Sequence, residues 1–149
     1  MSHKSLKRAL FLIAIFAVTS VPNLQADDVS GAERLLCASL EATRCTLDEC
    51  VTEDPVMWNI PQFIEIDLKN KRLQTTAASG ENRATPFTTL VREDGHIYIQ
   101  GIEGGRAFSF VIHEASGELN AATASSEHAT AVFAACTPLQ TIGRSQGGE

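Results

Sequence analysis

The chain has 149 residues, of which 44% are hydrophobic, and it carries a formal charge of -6. This length fits one domain with a single core. The surplus of acidic residues repels phosphate backbones and anionic lipid headgroups, so nucleic acid and membrane surfaces are poor partners and a basic protein is a better one.

Residues 1–26 are typical of an export signal. A basic start precedes an apolar run from Ala9 to Val18, which is too short to span a bilayer, and Ala26 is the small residue expected before a cleavage site. We therefore predict a signal peptide over 1–26 and a periplasmic or secreted mature protein. Because the signal holds three of the twelve basic residues and no acidic one, the mature part has a formal charge of -9.

The first mature segment has two interpretations. A short helix over Ala32–Leu40 is suggested by Ser30-Gly31 as a cap and by the helix-favouring residues that follow. A strand over Leu35–Thr43 is favoured instead, because the later strands need a partner that closes the sheet. Between Asp54-Pro55 and Pro61 we expect a loop, with Met57 and Trp58 packed onto the core.

From Gln62 onward, short apolar stretches alternate with turn residues at the spacing of an antiparallel meander. The strongest hairpin signal is Asp94-Gly95, because both residues tolerate the positive φ angles of a tight primed turn. In the first stretch Glu65 and Asp67 alternate with apolar residues, and we expect their carboxylates on a solvated face. The predicted strands are Phe63–Leu68, Arg72–Thr76, Thr85–Val91, His96–Ile102, Ala107–His113, Glu118–Ala124 and His128–Cys136.

These patterns predict an all-β fold. We expect a small antiparallel barrel or curled meander of about seven or eight strands, with the short N-terminal helix as the open alternative. The predicted organisation is a signal peptide over 1–26, a single β domain over 27–139 and a disordered tail over 140–149.

Four cysteines allow three pairings, and the sequence alone does not choose among them. Spacing favours a bond between Cys45 and Cys50 across a small polar loop, which leaves Cys37 to join Cys136. A redox pair is disfavoured, because four residues separate Cys45 from Cys50 and acidic neighbours weaken a thiolate nucleophile. A zinc site is disfavoured, because it needs two more ligands and the sequence has no His-rich segment to supply them. Structural disulfides fit the export signal.

No motif for catalysis, a cofactor or a metal stands out. His96 and His113 could approach each other on adjacent strands, but isolated histidines at strand ends are more common on solvated edges. A binding surface has better support: Tyr98 and Gln100 share one face of their strand, and Arg106 follows the next turn. The alternative is an ordinary cross-strand pair that stabilises the sheet.

The chain resembles small exported proteobacterial proteins of unassigned function in three features. These are the order of the cysteines, the stretch Phe63-Ile64-Glu65-Ile66-Asp67-Leu68 and the ending Val132-Phe133-Ala134-Ala135-Cys136-Thr137-Pro138-Leu139. The resemblance implies an envelope location and a bond between Cys37 and Cys136, and it carries over no catalytic residue.

For function we expect an exported, non-catalytic binding or inhibitor-type module, with a basic protein as the candidate partner on account of the -9 charge. The alternative is a lipocalin-like carrier of a small apolar ligand, because small side chains between Ala121 and Ala135 could leave room inside a barrel. An envelope hydrolase ranks last.

Overall fold

A computed structural model describes residues 27–79 and 82–139 of the chain. The predicted signal peptide over 1–26 and the predicted tail over 140–149 lie outside the described residues. The described part is all-β, with two short 3₁₀ turns at Pro55–Trp58 and Ala77–Ser79. Its strands are β1 (Arg34–Cys45), β2 (Cys50–Glu53), β3 (Phe63–Asp67), β4 (Arg72–Thr75), β5 (Ala84–Pro86), β6 (Thr89–Glu93), β7 (His96–Glu103), β8 (Arg106–His113), β9 (Glu118–Ala124) and β10 (Ala129–Pro138).

The strands form one antiparallel sheet in the order β5-β4-β3-β1-β10-β9-β8-β7-β6, with β2 paired to β1 beside this path. The sheet is a curled half-barrel of nine strands, which confirms the predicted fold class. The N-terminal helix is not found, because Arg34–Cys45 is a strand. The strand count exceeds the prediction for two reasons: β2 is an additional strand that the sequence analysis does not predict, and Phe87 and Thr88 interrupt the predicted strand Thr85–Val91.

β1 organises the sheet because it has neighbours along both of its edges. One edge pairs with β10 over almost its full length, and the other pairs first with β3 and then with β2. A register shift between Ser39 and Glu41 marks a bulge, and Leu40 at this point is exposed. Bulges bend a strand and increase its twist. The bulge therefore separates the half of β1 that pairs with β3 from the half that pairs with β2.

The two ends of the sheet lie next to each other. β5 and β6 are the edge strands, and only Phe87 and Thr88 separate them along the chain. The amide of Phe87 donates to the carbonyl of Lys71 at 3.0 Å, and the amide of Thr88 donates to the carbonyl of Gln100 at 3.0 Å. Because the connection between β5 and β6 is only two residues long, the sheet must curl until its two edge strands lie side by side.

The core fills the inside of this curl. Ile97 and Ile99 are fully buried, so Tyr98 between them lies on the outer face of β7. Asp94 and Gly95 have the positive φ angles of 49° and 73° that the hairpin signal required. Gly101 is opposite Phe108, and a Cβ at this glycine would overlap the ring. The buried cluster also contains Val29, Leu35, Cys37, Ala42, Ile66, Leu68, Phe87, Phe110, Ile112, Leu119, Ala121, Val132, Ala134 and Cys136.

Two disulfides link the described strands. Cys37 on β1 is bonded to Cys136 on β10, and Cys45 is bonded to Cys50 across the β1–β2 hairpin, which are the pairs that spacing favours. Cys37 and Cys136 are directly opposite each other in the sheet, and both are buried. Two structural disulfides indicate an oxidising, exported environment.

Asp67 does not lie on a solvated face, so the sequence expectation for this carboxylate is wrong. The residue is only 9% exposed, and its side chain accepts hydrogen bonds of 2.8 Å from the backbone amide and the side-chain amide of Asn70. Burial raises the pKa of Asp67, but the hydrogen bonds from Asn70 and the charges of Arg34 and Arg72 outweigh it, and the net pKa is lowered. The carboxylate therefore stabilises the turn between β3 and β4 in its ionised form.

We predict that the two disulfides contribute unequally to stability. C37A/C136A should lower the free energy of unfolding by about 4 to 5 kcal/mol, because this bond closes a loop across nearly the whole domain, and C45A/C50A by about 2 kcal/mol. Urea unfolding of both double variants measures the difference. Equal losses would contradict the larger contribution of the long closure.

The Asp67 carboxylate predicts a specific pH dependence. Its pKa is lower in the folded chain, so its stabilisation is complete above the unfolded-state value of about 3.9 and is lost as pH falls through the folded-state value. D67N should lower the free energy of unfolding at pH 7 by about 1.5 to 3 kcal/mol. Urea unfolding at pH 7 and pH 3 should show this difference shrinking at pH 3, whereas a constant difference would contradict the assignment.

Candidate functional site

The curled sheet encloses a cavity of about 150 Å³. Because side chains alternate along a strand, every second residue of the surrounding strands faces this space. On β8, for example, Phe108 and Phe110 line the cavity. The apolar part of its wall comes from Ile60, Ile64, Leu73, Phe108, Phe110, Leu119, Ala121 and Val132.

Small side chains on β9 and β10 contribute to the space. Ala121, Thr123 and Thr130 line the cavity, where larger residues would project into it. Most alanines of these strands face the other way: Ala122 and Ala131, for example, are exposed on the outer face. The small residues between Ala121 and Ala135 therefore lie on both faces of the sheet, and only some of them border the cavity.

The cavity wall also carries charged residues. Three arginines line it, Arg44, Arg83 and Arg106, together with one carboxylate, that of Glu103. Glu103 accepts a short hydrogen bond from the hydroxyl of Thr85 and lies 3.7 Å from Nε of Arg83. Arg83 therefore forms an ion pair with Glu103. Arg44 and Arg106 form no ion pair within residues 27–79 and 82–139.

Trp58 is held at the cavity by the 3₁₀ turn Pro55–Trp58. Asp54 caps this turn by accepting a hydrogen bond of 3.0 Å from the amide of Val56, and Asn59 ends it in a left-handed conformation. The guanidinium of Arg44 lies 4.3 Å from the centre of the Trp58 ring, which is a cation–π contact. Trp58 thus joins the apolar wall to the charged part of the cavity.

The indole Nε1 of Trp58 is buried and has no acceptor among the described residues. A buried donor without a partner costs about 1 to 3 kcal/mol. An acceptor atom of a bound molecule would remove this cost.

Met57, the neighbour of Trp58, is 67% exposed, so the expectation that it packs onto the core is wrong.

The structure separates the three residues of the predicted binding surface. Tyr98 and Gln100 lie on the outer face of β7, where Tyr98 is 36% exposed, whereas Arg106 lines the cavity inside the sheet. Alternation along β8 places Arg106 on the same face as Phe108 and Phe110, and this signal was available in the sequence. Arg44 and Trp58 could not be assigned to the same site, because their approach depends on a bulge and a turn.

The two histidines on neighbouring strands do approach each other. His96 and His113 are paired across β7 and β8, and their ring centres are 5.1 Å apart. Nδ1 of His96 is 2.8 Å from the carbonyl of Asp94, and Nδ1 of His113 is 2.8 Å from the hydroxyl of Ser116. Within the described ranges, no group of three or more His, Cys, Asp or Glu residues is arranged to hold a metal ion.

A second exposed feature is the tip of the β1–β2 hairpin. The disulfide between Cys45 and Cys50 closes the loop, and the amide of Thr46 donates to the carbonyl of Glu49 at 2.9 Å. Leu47 at the tip is fully exposed. The side chain next to it, Asp48, is acidic.

Comparison with protein-family models, with curated proteins and with solved structures finds no match for this chain. None of the helices in the described ranges has the length and apolar character needed to cross a bilayer.

Proposed function

We propose that this chain is an exported binding protein, periplasmic or secreted, that holds a small and largely apolar molecule inside its curled sheet. The observation that carries the proposal is the cavity of about 150 Å³. Ligand sites are typically concave and mainly apolar, with a few polar groups that fix orientation, and this cavity has that composition. Small antiparallel barrels use their interior in the same way.

The cavity is large enough for a specific ligand. An apolar cavity of about 150 Å³ holds a benzene ring, so the space fits an apolar group of about six carbons. Phe108, Phe110 and Val132 supply apolar contacts for such a group, and burying each methylene yields about 0.8 kcal/mol. Binding of this size requires no rearrangement of the sheet.

We predict that filling the cavity blocks binding. Ala121 lines the cavity, and its neighbour Ala122 is exposed on the outer face, so A121L and A122L add the same side chain on opposite sides of β9. Trp58 is the only tryptophan in the chain, and its fluorescence reports on the cavity directly. In titrations with 1-octanol, A121L should weaken binding at least about tenfold, and A122L should stay within about twofold of the wild type.

Circular dichroism and urea unfolding of both variants check that the sheet remains folded. Wild-type protein that shows no response to 1-octanol, or a folded A121L that binds as the wild type does, would contradict the proposal.

A second candidate function is contact with a basic protein through the β1–β2 hairpin. Fully exposed Leu47 lies beside Asp48 and Glu49 in a loop that the disulfide closes. An apolar anchor in a closed loop loses less entropy on binding than one in an open loop, and flanking carboxylates steer a cationic surface towards it. This geometry supports the inhibitor-type role that the net charge of the mature chain suggests.

Capture from an extract of exported proteins tests this candidate. We predict that L47A loses a basic partner that the wild type retains, and that V56A retains it, since Val56 is also an exposed apolar residue but lies outside the closed loop. Identical sets of captured proteins for the wild type and L47A would rule the hairpin out as the contact.

A further inference from the structure

The charges in the cavity wall are opposite in sign to those of the mature chain. Its lining contains three arginines and one glutamate, whereas the predicted mature chain has twice as many acidic as basic residues. Charge inside a concave, partly apolar site is screened less than charge on an open surface. The cavity is therefore a local region of positive potential.

Two of the arginines form no ion pair with any residue that the structure describes. Arg44 makes hydrogen bonds of 3.4 Å to the hydroxyl of Thr130 and to the carbonyl of Trp58, both of which are neutral acceptors. Arg106 is exposed at its end of β8 and forms no ion pair within the described part of the chain. Guanidinium groups bind carboxylates through short, charge-assisted hydrogen bonds.

Trp58 provides a further donor for an anion. Its Nε1 is buried without an acceptor in residues 27–79 and 82–139, and its ring contacts Arg44. A ligand oxygen that reaches Nε1 would give this donor its missing acceptor. A ligand with no acceptor would leave the indole donor unpaired.

We propose that the ligand is a monocarboxylate with an apolar tail, bound with its head at Arg44, Arg106 and Trp58 and its tail against Phe110 and Val132. This inference rests on the proposed function and specifies the ligand class for the same cavity. The size of the apolar space sets the part of the tail that it encloses at about six carbons.

Three eight-carbon probes test the head group: octanoate, 1-octanol and octylamine, titrated by Trp58 fluorescence and by calorimetry. Octanoate should bind about tenfold more tightly than 1-octanol, and octylamine should bind most weakly. R44Q and R106Q should each weaken octanoate binding about tenfold and leave 1-octanol binding within about twofold.

R72Q is the matched control, because Arg72 is also an arginine of the sheet but does not line the cavity. R44K retains the charge and should recover part of the octanoate affinity. Since Arg106 is exposed, R106Q keeps the test valid if R44Q fails to fold.

The outcomes distinguish the proposed apolar binding site from the proposed carboxylate ligand. Tight octanoate binding that depends on Arg44 and Arg106 supports both. Equal affinity for octanoate and 1-octanol, or an equal loss in R72Q, overturns the carboxylate assignment and leaves the cavity as an apolar site. No binding of any probe overturns both.

Discussion

The pairing of β1 with β10 is the constraint on which the sheet depends. These strands lie at opposite ends of the described chain, whereas the pairs from β6 to β10 form between consecutive strands. A contact between distant segments requires the closure of a long loop, which costs conformational entropy. The bond between Cys37 and Cys136, located at directly opposed positions of the two strands, keeps this closure in place. β3, β4 and β5 then extend the sheet from the other edge of β1.

The curl that follows from this pairing gives the sheet two chemically different faces. The inner face is mainly apolar and carries three arginines around a cavity, whereas Tyr98, Gln100 and the exposed alanines lie outside. The bulge after Ser39 separates two halves of β1, and Arg44 belongs to the half beyond it. The 3₁₀ turn brings Trp58 to the same region. The site is thus assembled by irregular features of an otherwise regular sheet.

The alternation of apolar and polar residues and the turn residues between strands predicted the fold class, because both signals lie within short stretches of sequence. The shared face of Tyr98 and Gln100 and the primed turn at Asp94 followed from these rules alone. The buried position of Asp67 did not, because it depends on hydrogen bonds from Asn70 that no period-two pattern reveals. For the cavity, the face of Arg106 was predictable from β8. The contact between Arg44 and Trp58 was not, because it joins separate elements through a bulge and a turn.

The central claim is that the inside of the curled sheet is a binding site. Nuclear Overhauser contacts between bound octanoate and the protein test it most directly, since they locate the ligand atom by atom. The account predicts contacts from the terminal methyl of octanoate to Phe110 and Val132, and from the carbons next to the carboxylate to Trp58. Contacts to outer-face residues such as Tyr98, with none to Phe110 or Val132, would contradict it.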